Sequence, residues 1–167
     1  MPPSVAQMTA ALAEQYEARF DELRRRARVL PGVEAVLSLL DQKPEVTQTV
    51  LTGNPRAVAL IKLRTTGLVD QMRWDCGAFG DDHRDRAELV RIARQRCGSN
   101  GTDVGKVIVV GDTPADITAA RAAGARAVGV ATGRFTTAEL DTAGADATLT
   151  DLADLDAVQE ALDLRRH

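Results

Sequence analysis

Cysteine and long apolar runs are scarce in this sequence, and both scarcities limit what the protein can be. Only Cys76 and Cys97 occur among the 167 residues. Their spacing fits neither a C-x-x-C motif nor a metal-ligand pattern, so we expect reduced thiols. No stretch approaches the roughly 18 to 20 apolar residues needed to cross a bilayer, and the acids within residues 1–20 are atypical of a signal peptide. The sequence therefore predicts a cytoplasmic protein with no membrane partner.

An excess of positive charge is also absent. Lysine and arginine number 21 against 24 aspartates and glutamates, a formal charge of −3, which argues against a nucleic-acid or acidic-membrane partner. Trp74 is expected to have no aromatic partner, so nothing indicates stacking on nucleic-acid bases. What is present is ordinary for a globular protein, with 44% apolar and 27% charged residues. The length suits one domain that can bury a core.

Apolar periodicity and turn residues divide the chain into alternating helices and strands. We predict helices at residues 5–29, 33–40, 55–64, 86–96, 114–123, 137–143 and 155–162, and strands at 46–51, 76–79, 107–110, 127–131 and 147–149. Asn54 is expected to be the N-cap of the third helix and Pro55 its first residue. This alternation predicts an α/β fold, with a parallel sheet, helices on both faces and right-handed crossovers.

The clearest chemical motif is K-V-I-V-V-G-D-T-P-A-D at residues 106–116. Its four branched apolar residues predict a strand buried on both faces, which places Asp112 at the carboxyl end, where α/β proteins bind ligands. An unpaired carboxylate at a buried strand end is unfavourable by several kcal/mol, so Asp112 needs a metal or an arginine partner, and we favour Mg²⁺. Asp116, in the first helical turn, is either a second metal-site acid or the acid of a capping box with Thr113.

A second motif, T-G-N-P at residues 52–55, also follows an apolar strand. The hydroxyl of Thr52 and the backbone N–H groups of Gly53 and Asn54 could bind phosphate at a helix start. The same letters also describe an ordinary helix start, with Asn54 as a structural cap. The motif alone favours the structural interpretation.

Cations stand at the start of the helix predicted at 86–96, where they oppose the helix dipole. A requirement for positive charge beside bound phosphate would explain Arg86 there, and Arg84 is the other candidate for that role. For Arg84 and His83 we favour an exposed, charged loop without a chemical role. Lys62, in the middle of a helix, is interpreted as a surface lysine.

These residues together resemble a known family. V-L-T-G-N, Arg86 at a helix start, V-I-V-V-G-D-T-P-A-D and the ending G-A-D-A-T-L-T-D-L are similar to motifs of the haloacid dehalogenase (HAD) superfamily, in particular its phosphoglycolate-phosphatase-like hydrolases. Order and spacing agree from about Leu30 onward. The resemblance implies a HAD-like, Rossmannoid core at residues 30–167 and the C-terminal part of a helical cap at residues 1–29. It also implies a Mg²⁺-dependent phosphatase acting on a small phosphorylated metabolite.

The resemblance further assigns roles to individual residues. Thr52 would donate a hydrogen bond to the transferring phosphoryl group, with Gly53 and Asn54 beside it. Arg86 would stand where the family usually has a lysine that neutralises phosphate and nucleophile. Asp112 would bind Mg²⁺ directly, and Asp116 would support the metal or its waters.

The family's nucleophile has no counterpart in this sequence. In the family, the first aspartate of a D-x-D-G-T motif forms an aspartyl-phosphate. Here the only D-x-D is Asp154-Leu155-Asp156, at the start of the last predicted helix. We therefore expect an N-terminally truncated chain that is inactive alone. The alternative is a non-catalytic phosphate-binding, metal-binding or interaction protein derived from the same fold, and a receiver-like phosphoacceptor domain is a weaker candidate.

The missing motif also implies a missing first core strand, between the strands that end at Thr52 and Asp112. The flanking strands would then need hydrogen-bond partners. They could close up, or a homodimer or another chain could supply a strand, or the start of the sequence could be wrong. Of these we favour a truncated or mis-started reading frame.

Overall fold

The computed structural model of the chain describes residues 4–99, 101 and 103–164. The first residues of the predicted cap, 1–3, and residues 100 and 102 of a glycine-rich loop lie outside the described residues. A parallel sheet of three strands, in the order β1-β2-β3, forms the centre of the fold. The strands are β1 (Ile108–Gly111), β2 (Arg126–Val130) and β3 (Ala147–Leu149). This sheet confirms the predicted parallel α/β architecture.

Helices precede, connect and follow the strands. They are α1 (Val5–Ala18), α2 (Phe20–Arg26), α3 (Val33–Asp41), α4 (Arg56–Thr66), α5 (Arg86–Gly98), α6 (Pro114–Ala122), α7 (Thr137–Thr142) and α8 (Leu155–Ala161). The prediction of one continuous helix at 5–29 is wrong. Arg19 leaves helical geometry, with φ −105° and ψ 13°, and its N–H bonds back to Tyr16 and Glu17. Its carbonyl then accepts the N–H of Leu23 as α2 begins.

Apolar side chains cover both faces of the sheet, as predicted. On one face, Val109 of β1 packs with buried residues of α5, α6 and α7, namely Val90, Ile117, Ala120 and Leu140. On the other face, Val128 of β2 packs with buried residues of α3 and α8, namely Val36, Val158 and Ala161. Helices α1 and α2 lie outside these clusters and pack on α4. The boundary between a cap and a core at residues 29 and 30 stays a prediction.

The strands predicted at 46–51 and 76–79 form one parallel bridge, between Leu51 and Ala78, and no regular ladder. Ala78 donates its N–H to Val50 and accepts the N–H of Thr52, while Arg73 donates to Gln48. The residues bonded at Gln48 and Arg73 are 25 apart in sequence, and those bonded at Val50 and Ala78 are 28 apart. The two contacts therefore do not belong to the same strand register. The segment nevertheless runs beside residues 73–78 and delivers Thr52 at its end.

The expectation that Trp74 has no aromatic partner is also wrong. Its ring stacks on Phe79 with centroids 5.8 Å apart and planes 4° from parallel, and its indole N–H donates to the carbonyl of Val69 at 2.9 Å. The pair holds the 73–79 segment to the short 3-10 helix at Val69–Gln71. Within the described part of the chain, no helix is both long and apolar enough to span a bilayer.

Candidate functional site

Asp116 lies in the first turn of α6, where it takes part in the N-terminal capping box of the helix and also binds the guanidinium of Arg86. Its Oδ2 accepts the N–H of Thr113 at 3.1 Å and the hydroxyl of Thr113 at 2.7 Å, and its own N–H donates to that hydroxyl oxygen at 3.2 Å. Its Oδ1 accepts Nη1 of Arg86 at 2.6 Å. The capping-box interpretation of Asp116 is therefore confirmed. The metal-supporting role stays a prediction. Both carboxylate oxygens already accept hydrogen bonds from protein donors.

The close approach of α6 to the end of β1 depends on Gly111. A Cβ at this position would lie 2.3 Å from the Cβ of Asp116 and 2.8 Å from its Oδ2, far inside van der Waals contact. The missing side chain at Gly111 lets the first turn of α6 sit against the strand end. Asp116 is thereby placed next to the backbone that carries Asp112.

Asp112 follows β1 directly, as predicted, but it is exposed. The argument that its carboxylate must be compensated because it is buried is therefore wrong. The reason is that, among the described residues, β1 has a neighbouring strand on one side only, so its carboxyl end opens to solvent. Asp112 lines a cavity of about 330 Å³ whose other walls are mainly apolar, among them Leu30, Val33, Val110 and Leu152. The Oδ2 of Asp112 also lies close to Gly133: it is 2.4 Å from the position that a Cβ on Gly133 would take.

The turn at residues 52–54 is organised around the hydroxyl oxygen of Thr52. This oxygen accepts the backbone N–H of Asn54 at 3.1 Å and the side-chain Nδ2 of Asn54 at 3.0 Å. The other end of the Asn54 amide, Oδ1, accepts Nζ of Lys62 at 3.2 Å. Because Thr52 Oγ1 accepts twice, its hydroxyl hydrogen remains to be donated to a further group.

The start of α4 differs from the prediction. The helix begins at Arg56 with Pro55 as its N-cap, and Pro55 has no side-chain capping bond. The backbone N–H of Arg56 donates to both carboxylate oxygens of Asp81, at 3.1 and 3.3 Å. The interpretation of Asn54 as the N-cap is therefore wrong, because Asp81 caps the helix from another loop. The side chain of Asn54 instead joins Thr52 to Lys62.

Arg86 connects the two predicted motifs. While its Nη1 bonds to Asp116, its Nη2 lies 3.7 Å from the position that a Cβ on Gly53 would take. Its side chain is 35% exposed and that of Asp116 is 13% exposed, so the pair is partly shielded from water. The structure thus gathers the Thr52 turn, Arg86, Asp116 and the strand end that carries Asp112.

The neighbours of Arg86 in the loop before α5 lie outside the site formed by Arg86, Asp116 and the Thr52 turn. Arg84 is exposed, and His83 accepts the backbone N–H of Asp85 on its Nδ1 at 3.0 Å. Asp85 in turn caps α5 by accepting the N–H of Ala87 at 2.9 Å. Of the two arginines that the sequence leaves open for the basic position, Arg86 is therefore the one placed at the site.

Two residues of the site have no signal in the sequence analysis. Asp81 lies in a charged loop that predicts only solvent exposure, and Lys62 is spaced as a surface residue of a helix. Lys62 is indeed exposed, yet its ammonium both donates to Asn54 and lies 5.3 Å from the centre of the Tyr16 ring. The contact with Tyr16 joins segments that are distant in sequence, and the contact with Asn54 depends on how the turn before α4 folds back on the helix.

A second ionic contact stiffens the loop that carries Asp81. Arg96, near the end of α5, donates to both carboxylate oxygens of Asp82, at 2.8 and 2.6 Å, and Phe79 donates its N–H to the same carboxylate at 2.9 Å. The hydrogen bonds from Arg96 lower the pKa of Asp82 from its ordinary value of 3.8. The loop is therefore held by an ionised carboxylate at neutral pH.

The two cysteines are shielded from solvent to different degrees. Cys76 is buried and Cys97 is partly buried, and both are free. Burial raises the pKa of the Cys97 thiol to about 12, so it is protonated at neutral pH and a poor nucleophile.

As a donor set, the site offers one exposed carboxylate, one carboxylate bound to arginine, a hydroxyl and a guanidinium. Within residues 4–99, 101 and 103–164, no group of three or more His, Cys, Asp or Glu side chains could hold a metal ion. A cation at Asp112 would thus need most of its ligands from water or from a bound anion, which is the usual condition of Mg²⁺ in proteins that bind phosphates.

Comparison with known proteins gives a consistent result. The family model described as HAD-hydrolase-like matches residues 86–155. The plasmid-encoded phosphoglycolate phosphatase of Cupriavidus necator is 32% identical over 116 residues, an alignment that covers 70% of this chain and 49% of that protein. The chain therefore spans about half the length of this curated relative.

Solved structures extend the similarity to the whole chain. A hydrolase from Pseudomonas syringae superposes with a TM-score of 0.70 at 25% identity, covering 100% of this chain and 76% of the other. A haloacid dehalogenase-like protein of unknown function from Agrobacterium tumefaciens superposes with a TM-score of 0.65 at 23% identity, covering 97% and 72% of the two chains. The second likeness supports the fold alone.

Proposed function

Because this chain belongs to the haloacid dehalogenase superfamily, we propose that its residues form the phosphate-binding and metal-binding side of a site for phosphomonoester hydrolysis. The observation that carries the proposal is the position of Arg86, whose guanidinium bonds to Asp116 and also lies against Gly53. A bound phosphate at this point would meet a cation, the hydroxyl of Thr52 and the backbone of the 52–54 turn. Such donors stabilise the charge on a transferring phosphoryl group.

The donors of the turn can be assigned individually. The N–H of Asn54 is already used by Thr52, and the N–H of Arg56 is used by Asp81. The N–H of Gly53 and the hydroxyl of Thr52 are the remaining donors that we assign to a phosphate oxygen. Asn54 would then contribute by positioning Thr52 and not by direct contact.

The residues at the end of β1 fit Mg²⁺ with Asp112 as the protein ligand. The superfamily's phosphatases generally use Mg²⁺, and an exposed carboxylate beside an anion site suits an ion that keeps several waters and binds phosphate oxygens. Asp116 would act from one step further away, through water, because Thr113 and Arg86 occupy its oxygens. When bound, Mg²⁺ would neutralise charge on the phosphoryl group.

The superfamily's nucleophile for hydrolysis belongs to a D-x-D-G-T motif, and no such motif occurs among these 167 residues. We propose that the 167-residue chain alone binds phosphate and Mg²⁺ with little or no turnover. The substrate class that we propose is a small phosphomonoester, and 2-phosphoglycolate is the first compound to test because of the relative from Cupriavidus necator. We further propose a cytoplasmic location, with which two free cysteines are consistent.

The test is calorimetric titration of the purified chain with inorganic phosphate in the presence of Mg²⁺, together with a p-nitrophenyl phosphate hydrolysis assay. Saturable phosphate binding that is weakened by Arg86→Met and unchanged by Arg84→Met would support the site. Absence of phosphate binding would overturn it. Hydrolysis at rates typical of an intact phosphatase would overturn the proposal that the nucleophile is missing.

We also propose a partner: an apolar peptide strand that adds to β1. Arg126 donates its N–H to Val107 across the β1–β2 pair, so the backbone groups of Ile108 and Val110 point away from β2, because they alternate along a strand. Val110, near the carboxyl end of β1, is 48% exposed, which is unusual for a residue of an apolar strand. It borders the 330 Å³ cavity beside α3.

The segment before Thr52 has a matching edge. Val50 and Thr52 bond to Ala78, so the backbone groups of the residue between them, Leu51, point to the other side. A strand parallel to both segments would give Leu51 and Val110 hydrogen-bond partners and would end beside Thr52 and Asp112. We propose that this strand comes from another polypeptide, since backbone groups at an open edge recruit strands.

A fluorescent peptide of five β-branched residues ending in aspartate tests this edge, with a peptide that has proline at its centre as the control. We expect saturable anisotropy changes with the first peptide only, and slower amide exchange at Ile108 and Val110 in its presence. Slow exchange at these amides in a dimer without peptide would show that a second copy occupies the edge. That outcome, or no binding, would overturn the peptide partner.

A further inference from the structure

Lys62 lies on α4, outside the group of residues that would touch phosphate, but its ammonium reaches the Thr52 turn. Its Nζ donates to Oδ1 of Asn54 at 3.2 Å, and the Nδ2 of the same amide donates to Oγ1 of Thr52 at 3.0 Å. A single amide group thus lies between a cation and the hydroxyl that we assign to phosphate.

The orientation of that amide decides what the Thr52 hydroxyl can do. With Nδ2 toward Thr52, the hydroxyl oxygen accepts and its hydrogen is available to an anion. If the amide turned over, Oδ1 would face Thr52, and the hydroxyl could satisfy it by donating its hydrogen within the turn. A lysine ammonium has donors and no acceptor, so it is compatible with only the first orientation at Oδ1.

From this geometry we infer that Lys62 is a positioning residue, which holds the Asn54 amide so that the Thr52 hydroxyl is directed to bound phosphate. The inference rests on the proposed phosphate site and adds a residue to it. Lys62 acts through Asn54 and makes no contact with the phosphate itself.

The same ammonium also couples the site to α1. It lies 5.3 Å from the centre of the Tyr16 ring, within the range of a cation–π contact. Two contacts from elements far apart in sequence restrict the Lys62 side chain, which would otherwise sample many rotamers at an exposed position. The amide of Asn54 is therefore held by an anchored cation.

Arg64 provides a matched control on the same helix. It donates to Glu17 of α1 at 3.2 Å, and its guanidinium lies 4.9 Å from the centre of the Phe20 ring of α2. It thus contacts α1, as Lys62 does, and also α2, but it is not bonded to the Thr52 turn. A change that only loosens α1 from α4 should follow from either substitution.

The experiment is a double-substitution cycle on inorganic phosphate affinity, measured by calorimetry with Mg²⁺ present. Lys62→Met should weaken phosphate binding about threefold to tenfold, within the range for an ordinary hydrogen bond, because Lys62 acts on the phosphate only through Asn54. Lys62→Arg, which keeps donors, should restore most of the affinity, and Arg64→Met should leave it unchanged. In a Thr52→Val background, Lys62→Met should have no further effect.

The outcomes separate the inference from the proposed function. A loss that persists in the Thr52→Val background would show that Lys62 contacts phosphate directly, and equal losses for Lys62→Met and Arg64→Met would show a structural role; either overturns the inference alone. Absence of phosphate binding by the unsubstituted protein would overturn both. As a readout without ligand, the side-chain amide NMR signals of Asn54 should shift on Lys62→Met and stay in place on Arg64→Met.

Discussion

Nη1 of Arg86 lies 2.6 Å from Oδ1 of Asp116, so the first residue of α5 is bonded to the first turn of α6. Helix N-termini carry partial positive charge, and a cation at one of them is locally unfavourable. The carboxylate of Asp116, in turn, satisfies Thr113 on its other oxygen. The ion pair is therefore a tertiary contact that offsets a local electrostatic penalty and leaves the guanidinium facing the Thr52 turn.

Removing the Arg86 guanidinium should affect both stability and phosphate affinity. In Arg86→Met, the Asp116 carboxylate, whose side chain is 13% exposed, loses its cation, and we expect the free energy of unfolding to fall by about 1–2 kcal/mol. We expect phosphate affinity to fall roughly tenfold or more, since a charge-assisted contact is lost. Urea denaturation and calorimetry measure the two effects. Arg84→Met, at an exposed neighbour, should change neither, and an unchanged affinity in Arg86→Met would contradict the assignment.

The two aspartates of the G-D-x-x-x-D motif should respond differently to amide substitution. Asp112 is exposed, so Asp112→Asn should leave unfolding free energy within about 0.5 kcal/mol while it weakens Mg²⁺ binding. Asp116→Asn disturbs a capping box and an ion pair, so it should lower unfolding free energy by about 1 kcal/mol or more. Mg²⁺ titration followed by calorimetry, and urea denaturation, separate the cases. Equal Mg²⁺ affinity in Asp112→Asn and the unsubstituted protein would exclude Asp112 as the ligand.

Acidic pH should remove the stabilisation that the Asp82–Arg96 ion pair gives to the loop that carries Asp81. Hydrogen bonds from Arg96 lower the pKa of Asp82 in the folded state below 3.8. A lowered folded-state pKa contributes stability above the unfolded-state pKa, and this contribution is lost as pH falls through the folded-state value. We expect the free energy of unfolding to fall between pH 5 and about pH 3, with a smaller fall in Asp82→Asn. Urea denaturation across this range measures it, and identical pH dependence in both proteins would contradict the role of Asp82.

The elements and strand ends were predictable because they follow local rules. A run of branched apolar residues before Gly111 predicts the strand β1, although its predicted burial on both faces is wrong, because among the described residues β1 is at the edge of the sheet and Val110 is 48% exposed. Side chains that follow parallel strands meet at one edge of the sheet. That rule placed Asp112 at the end of a strand and Thr52 at the end of a segment that forms a single bridge. The capping box of Thr113 and Asp116 follows from a spacing of three residues, which is likewise local.

The contacts that complete the site were not predictable for the opposite reason. Arg86 and Asp116 are 30 residues apart, and Arg56 and Asp81 are 25 apart, so no periodicity relates them. The spacing of Lys62 describes which face of a helix it occupies, but not which loop lies beside that face. The expected burial of Asp112 failed because burial at a strand end depends on a second neighbouring strand, which sequence periodicity does not report.

Substitution by alanine should have different effects at Gly133 and Gly111: at Gly133 it should weaken Mg²⁺ binding, and at Gly111 it should lower the free energy of unfolding. In Gly133→Ala, the new Cβ would lie 2.4 Å from Oδ2 of Asp112, the far end of an exposed side chain that can rotate away. We therefore expect weaker Mg²⁺ binding and little change in unfolding free energy. In Gly111→Ala, the new Cβ would meet the Cβ of Asp116 at 2.3 Å, and relief requires moving the backbone of α6, a strain of about 1–3 kcal/mol.

Thermal denaturation with and without Mg²⁺ distinguishes the two glycine variants. Gly133→Ala should keep the melting temperature of the metal-free protein and lose most of the increase that Mg²⁺ produces, because a ligand stabilises the folded state less when it binds more weakly. Gly111→Ala should melt lower in both conditions. If Gly133→Ala instead lowered the metal-free melting temperature as much as Gly111→Ala, the loop at Gly133 would be supporting the fold, and its contact with Asp112 would have no specific role in placing the carboxylate for a metal.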